Sequence, residues 1–322
     1  MTKRRERRGF WLFVGLQYLR AYAALLVVFF HASVNSKSGI IIGESGVDVF
    51  FVLSGFLMWR VTNAETTSFT FMRNRIRRIV PVYWIATLAV FACAELGITS
   101  RVMPDLGHLL TSLFFLPFKG PGGVYPMLIV GWTLNYEMFF YVVFAGLLVL
   151  PRRYIPVALT AAFAGLACLR PYAGGSLFAQ FYTNPIILEF VAGVWLAFAL
   201  EKTPGRQMGI VLLLFGLLGT LTGGDLPRII GYGVPAVLCV WGMLAIERDG
   251  GVPSIAPLRL AGDASYSIYL WHLFGISLLA PLLIDRPLAT LGLFAAGLAV
   301  GLAGWFLLER PILNRLSRAA KA

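Results

Sequence analysis

Charge is scarce in this sequence. Asp, Glu, Lys and Arg supply 13% of 322 residues, hydrophobic residues 58%, and mean hydropathy is +0.79. Soluble domains carry about a quarter charged residues, so a chain this apolar uses the bilayer as solvent for much of its surface. Cysteine is scarcer still: Cys93, Cys168 and Cys239 lie in separate apolar stretches without ligand spacing. That excludes a disulfide framework and a Cys-based zinc site, and no metal is expected. H-E-x-x-H, P-loop and G-x-S-x-G patterns are absent, as are internal repeats, low-complexity tracts and linkers. A single domain over 1–322 is expected, and the repeat symmetry of many transporters is missing. Acidic residues are few beside basic ones, 15 against 27, for a net charge of +12. Nucleic acid is not the expected partner, because the basic residues sit between hydrophobic runs, where topology signals belong.

Apolar runs of about 20 residues mark membrane spans. They fall near 12–34, 46–62, 79–98, 131–150, 154–170, 182–200, 207–223, 228–246, 264–284 and 288–308. The expected fold is therefore all-α and polytopic, with about ten transmembrane helices. The stretch 106–118, which contains His108, is too short to cross and reads as an interfacial or re-entrant helix, followed by the Gly/Pro-rich loop KGPGGVYP. The first run carries Arg20 and has no A-x-A site, so it reads as a helix and not as a cleaved signal peptide. With the N-terminus inside and ten alternating spans, 20 Lys/Arg fall on the inner side, six outside and Arg20 within a span. An eleventh crossing at 106–118 would spoil this asymmetry. Both termini, including basic tails at 1–10 and 310–322, are expected in the cytoplasm, and the protein in the inner (cytoplasmic) membrane.

A charged residue at the centre of a span costs roughly 2.5–3.5 kcal/mol on insertion scales, so each one asks for a reason. In LRAYAALLVVFFHAS, Arg20 and His31 are eleven residues apart. At 100° per residue that places both on one helix face, roughly 16 Å apart along the axis. Two readings are open: a polar path with a fixed cation and a titratable base, or a snorkelling arginine with an interfacial histidine. Asp48 in GVDVFFVLSGF and Glu137 in GWTLNYEMFFY both fall near the outer ends of their spans, at the depth of His31. A carboxylate beside an imidazole fixes its tautomer for general-base work; either carboxylate could instead pair with an arginine. FMRNRIRRIVPVYW packs Arg73, Arg75, Arg77 and Arg78 before the third span. The cluster is a topology and anionic-lipid signal, or a phosphate site built from guanidinium forks. His272 in DASYSIYLWHLF is a core histidine or a functional one, and Glu309–Arg310–Pro311 reads as a helix stop.

These segments together resemble the acyltransferase-3 family of integral membrane acyltransferases. LQYLRAYAALLVVFFHAS resembles its R-x10-H opening helix, GVDVFFVLSGFLM its second-helix motif, and RNRIRRIVPVYW its R-x-x-R element at Arg75 and Arg78. GWTLNYEMFFYVVF is similar to its W-x-L-x-x-E segment, and DASYSIYLWH and ERP also fit. The wording WTLNYEMFFY is most similar to the exopolysaccharide-production members. The resemblance implies transfer of an acyl group, usually acetyl, from cytoplasmic acyl-CoA to a hydroxyl of an extracytoplasmic or lipid-linked glycan. His31 is then the base, with Glu137 or Asp48 orienting it. Arg20, Arg75, Arg77 and Arg78 are the implied acetyl-CoA contacts, and Trp132, Tyr136 and His272 the expected acceptor contacts. Alternative acceptors include lipopolysaccharide O-antigen. From another class, a transporter or flippase would also use intramembrane charges.

Overall fold

The computed structural model describes residues 14–99, 103–120, 123–284 and 288–319. The basic tail 1–10 and the last residues of the tail 310–322 lie outside the described residues. The described residues are helices joined by turns and loops, with one two-residue antiparallel pair, β1 (Lys119–Gly120) and β2 (Gly123–Val124). In chain order the helices are α1 (Val14–Ser36), α2 (Gly46–Val61), α3 (Ser68–Glu95), α4 (Leu106–Leu113), α5 (Trp132–Leu147), α6 (Ile155–Cys168) and α7 (Leu177–Tyr182). They continue with α8 (Leu188–Phe198), α9 (Arg206–Thr222), α10 (Val234–Arg248), α11 (Ala256–Asp263), α12 (Ser265–Leu283), α13 (Ala289–Gly304) and α14 (Arg310–Ala319).

Seven helical stretches among the described residues are long and apolar enough to cross a bilayer: Val14–Ser36, Ser68–Glu95, Leu177–Phe198, Arg206–Asp225, Ile229–Arg248, Ser265–Leu283 and Ala289–Arg318. The chain is a multi-pass membrane protein. Helices also occupy the other three expected positions, but α2, α5 and α6 are only 16, 16 and 14 residues long. At 1.5 Å per residue they reach about 21–24 Å, short of a hydrocarbon core of roughly 30 Å. Helix length and apolarity thus account for seven full-length spans among the described residues.

The chain forms two compact units, each assembled from separated segments. One comprises the described residues up to Asn63 together with Leu188–Leu302. Here α2 and α8 pack at backbone distance: a Cβ on Gly55 would overlap the Phe190 carbonyl, and one on Gly193 the Val52 carbonyl. Lipid supplies no hydrophobic drive between helices, so small residues that admit close approach stabilise such a pair through dispersion. The Glu247 carboxylate at the end of α10 accepts from the backbone N–H of Gly15 at 3.2 and 3.3 Å, capping the described start of α1. A carboxylate there also opposes the positive end of the helix dipole.

The second unit comprises Ala64–Ile187 and the described residues from Ala303. Thr67 caps α3 by accepting from Thr70 N. Helix α5 runs antiparallel to α3, with Gly131 close to Tyr83, Tyr141 and Phe144 against Phe71, and the Ser68 hydroxyl donating to the Ala145 carbonyl at 2.6 Å. Helix α4, capped by Asp105, does not lie beyond the end of α3. Tyr83 donates to the Ser112 carbonyl at 3.1 Å and the Trp84 indole to the Leu113 carbonyl at 2.9 Å, so α4 docks beside the middle of α3. The Ser112 hydroxyl accepts from Met127 N at 2.8 Å and pins the segment that leads into α5.

Candidate active site

Arg20 and His31 share one face of α1, and both meet α12. Arg20 Nε donates to Ser265 Oγ at 3.1 Å, at the start of α12. His31 Nδ1 lies 2.9 Å from the Val27 carbonyl and 3.2 Å from Nε2 of His272, one and a half to two turns further along α12. His272 Nδ1 in turn lies 3.1 Å from the Ile268 carbonyl. His31 Nε2 has no hydrogen-bond partner among the described residues. His272 is fully buried, with Gly297 of α13 close against its backbone and Cβ, so it presents no surface to an acceptor in this conformation. Beside the pair, Ala32, Ile276, Ala280 and Leu293 form an apolar cluster.

Of the two carboxylates expected to orient His31, Asp48 is paired with an arginine. Asp48, 0% exposed at the start of α2, receives Arg228 through Nε at 3.1 Å and Nη2 at 2.7 Å. Arg228 also reaches Glu44, whose carboxylate is 3.7 Å away. Glu189 of α8 is buried beside Asp48, within electrostatic reach of Arg228. Arg228 directly precedes a π-helical turn, Ile229–Gly233, which leads into α10. In the sequence Arg228 is the first residue of the run 228–246, and Glu189 belongs to no motif. The available signal was an ionisable residue inside the apolar run IILEFVAGVW.

In the second unit Arg73 is exposed, whereas Arg75, Arg77 and Arg78 are half-buried. Arg78 Nη1 pairs with the Glu309 carboxylate at 2.7 Å, and Glu309 is 0% exposed at the end of a second π-helical turn, Trp305–Glu309. The closing ERP segment therefore does more than stop a helix: it clamps an arginine. Arg75 Nε is buried with no hydrogen-bond partner among the described residues, and its guanidinium lies over Phe71 at 5.9 Å. An unsatisfied guanidinium N–H beside other arginines fits an anionic phosphate.

Glu137 lies on α5, within the second unit. With Gly131 against Tyr83 and Ala145 bonded to Ser68, α5 runs antiparallel to α3 and Glu137 falls between those contacts, level with the Arg75–Arg78 turn of α3. It thus lies toward the arginine-bearing end of α3. Tyr141 donates to its carboxylate at 2.5 Å. Trp132 is half-buried and meets Tyr136 edge-on at 5.9 Å, while Tyr136 is buried with its ring stacked on Phe181 at 3.9 Å. Asn135 was also missed: it is buried, and neither amide atom has a partner among the described residues. No group of His, Cys, Asp and Glu suited to a metal occurs among the described residues.

Comparison with known proteins bears on these motifs. A family model described as an acyltransferase domain matches residues 13–310. The exopolysaccharide production protein ExoZ of Rhizobium meliloti (strain 1021) is 40% identical over 89% of this chain and 94% of its own. The putative membrane-bound transacylase BcsY of Komagataeibacter xylinus is 29% identical over 94% of this chain and 84% of its own. The O-acetyltransferase OatA of Staphylococcus aureus (strain NCTC 8325 / PS 47) is 24% identical over 80% of this chain and 49% of its own. No solved structure matches. The chain, with its Arg20–His31 helix, its Arg75/Arg78 pair and its closing ERP, belongs to the acyltransferase-3 family of integral membrane acyltransferases.

Proposed function

We propose that this protein transfers an acyl group, acetyl in the first instance, from cytoplasmic acyl-CoA to a hydroxyl of an exopolysaccharide or its lipid-linked repeat unit. The observation that carries the chemistry is the His31 ring: Nδ1 faces a carbonyl, which can only accept, so the lone pair is on the unpartnered Nε2. A neutral imidazole held in that tautomer is a general base. Nε2 takes the proton of the acceptor hydroxyl as its oxygen attacks the thioester carbonyl. The tetrahedral adduct collapses, the C–S bond breaks, and the departing thiolate recovers the proton from His31 as CoA–SH. No acyl-enzyme is required.

Arg75, Arg77 and Arg78 would hold the CoA phosphates, with Arg75 the best suited because its Nε lacks a partner among the described residues. Arg20, on the same face of α1 as His31, adds a fixed cation on the donor side. Glycan as acceptor rests on the likeness to an exopolysaccharide production protein and to an O-acetyltransferase. The ten-span topology with both termini cytoplasmic draws support from packing direction. The contacts of Arg20 with Ser265 and of His31 with His272 advance in the same direction along both helices, so α1 and α12 are parallel. Ten alternating spans with 106–118 not crossing make the first and ninth parallel, in the inner-membrane orientation the basic residues favour.

The test uses purified wild type and His31→Ala in lipid nanodiscs, assayed for acetyl-CoA binding and for release of free CoA. Wild type binds and turns over; the variant binds and does not. If neither binds acetyl-CoA, the donor assignment is wrong and transport becomes the leading reading.

A further inference from the structure

His31 and His272 make a hydrogen-bond circuit with one consistent proton assignment. Val27 O faces His31 Nδ1 at 2.9 Å, and Ile268 O faces His272 Nδ1 at 3.1 Å. Carbonyl oxygens accept and cannot donate, so each Nδ1 carries the proton and each Nε2 is bare. His272 Nε2 is then an acceptor 3.2 Å from the His31 Nδ1–H. The opposite assignment, with His272 donating to His31, turns lone pairs toward both carbonyls and loses both bonds. His272 is 0% exposed and has both nitrogens engaged, so it can act only through His31.

We infer that His272 is the positioning residue of the acyl transfer: its Nε2 lone pair holds His31 in the Nδ1–H tautomer and receives that N–H more strongly once His31 Nε2 is protonated. This rests on the proposed role of His31 and assigns its orientation to a second imidazole in place of Asp48 or Glu137. The physical basis is that a hydrogen bond from a charged donor is roughly twice as strong as a neutral one. The Nδ1–H···Nε2 bond therefore strengthens as the proton is taken up. A neutral acceptor supplies this without adding a buried charge that would need its own partner.

Two measurements test it. The chain has three histidines, so 15N-histidine spectra can be assigned with single variants of His31, His108 and His272. Wild type at neutral pH is expected to show neutral rings protonated at Nδ1 for both His31 and His272. A His31 ring protonated at Nε2 overturns the inference, and this readout stands whatever the enzyme's donor proves to be. In turnover assays His272→Ala is expected to lower kcat about tenfold or more with KM for acetyl-CoA within about twofold. His272→Gln places an amide oxygen where Nε2 stood and is expected to recover most of the rate. Equal kcat in wild type and a folded His272→Ala overturns the inference while leaving the general base in place. Loss of activity in both variants with the His31 tautomer unchanged overturns it as well. Absence of acetyl-CoA turnover in wild type, with the tautomers as expected, sinks the acyl-transfer reading alone.

Discussion

The Asp48–Arg228–Glu189 group gives an asymmetric stability prediction. Asp48 and Glu189 are both buried, Asp48 at 0% and Glu189 at 3% exposure, and the bidentate Arg228 is the cation they face. Breaking a buried ion pair costs about 3–5 kcal/mol, because the partner left behind is an uncompensated charge. The Arg228 side chain is 32% exposed, so water screens part of that and about 2–3 kcal/mol is expected for Arg228→Met. Asp48→Asn should cost less, about 1 kcal/mol, because the amide can still accept from the guanidinium and Glu189 and Glu44 remain to balance it. Combining Asp48→Asn with Arg228→Met should recover part of the Arg228→Met loss, a favourable coupling of about 1 kcal/mol. Thermal unfolding of the four proteins in one detergent, followed by intrinsic tryptophan fluorescence, measures the ordering. Arg228→Met no worse than Asp48→Asn, or strictly additive effects, would refute the reasoning that a single guanidinium compensates two buried carboxylates.

Three further predictions concern single sites. Glu309→Gln loosens the 2.7 Å clamp on Arg78 and should raise KM for acetyl-CoA several-fold at nearly constant kcat; unchanged KM in steady-state kinetics would show that Arg78 needs no such holding. Gly193→Ala places a methyl into the Val52 carbonyl and should cost about 1–3 kcal/mol, read as a lower melting temperature and a smaller monodisperse peak by detergent size-exclusion chromatography. Asn135→Leu removes a buried amide with no partner among the described residues, an arrangement that costs about 1–3 kcal/mol. It should leave the melting temperature equal or higher while lowering turnover, and undiminished turnover would remove Asn135 from the functional set.

Several elements were legible along the chain because they are local. The eleven-residue spacing of Arg20 and His31 dictates a shared helix face, and the structure shows both side chains meeting α12. The short 106–118 stretch could be seen to be too brief to cross. Its docking beside the middle of α3 could not, because the Tyr83 and Trp84 bonds that hold it come from another helix. The apolar runs at α5 and α6 extend past the α-helices for a related reason: 3-10 turns at Ile129–Gly131 and Arg152–Tyr154 lead into them, and exposed apolar residues such as Val149 and Leu169 follow, none of which changes the hydropathy.

By itself, the sequence determined that this is an α-helical multi-pass membrane protein and which residues break its apolar runs. Lipid offers no hydrogen bonds, so every long apolar stretch must satisfy its backbone internally, and that requirement can be read one segment at a time. Only the tertiary structure decided the partners: His272 for His31, 241 residues away, Arg228 for Asp48, 180 residues away, and Glu309 for Arg78. Each partner is chosen by which helices pack side by side and at what height. Small-residue contacts and side-chain bonds between helices set that arrangement, and they follow no spacing along the chain.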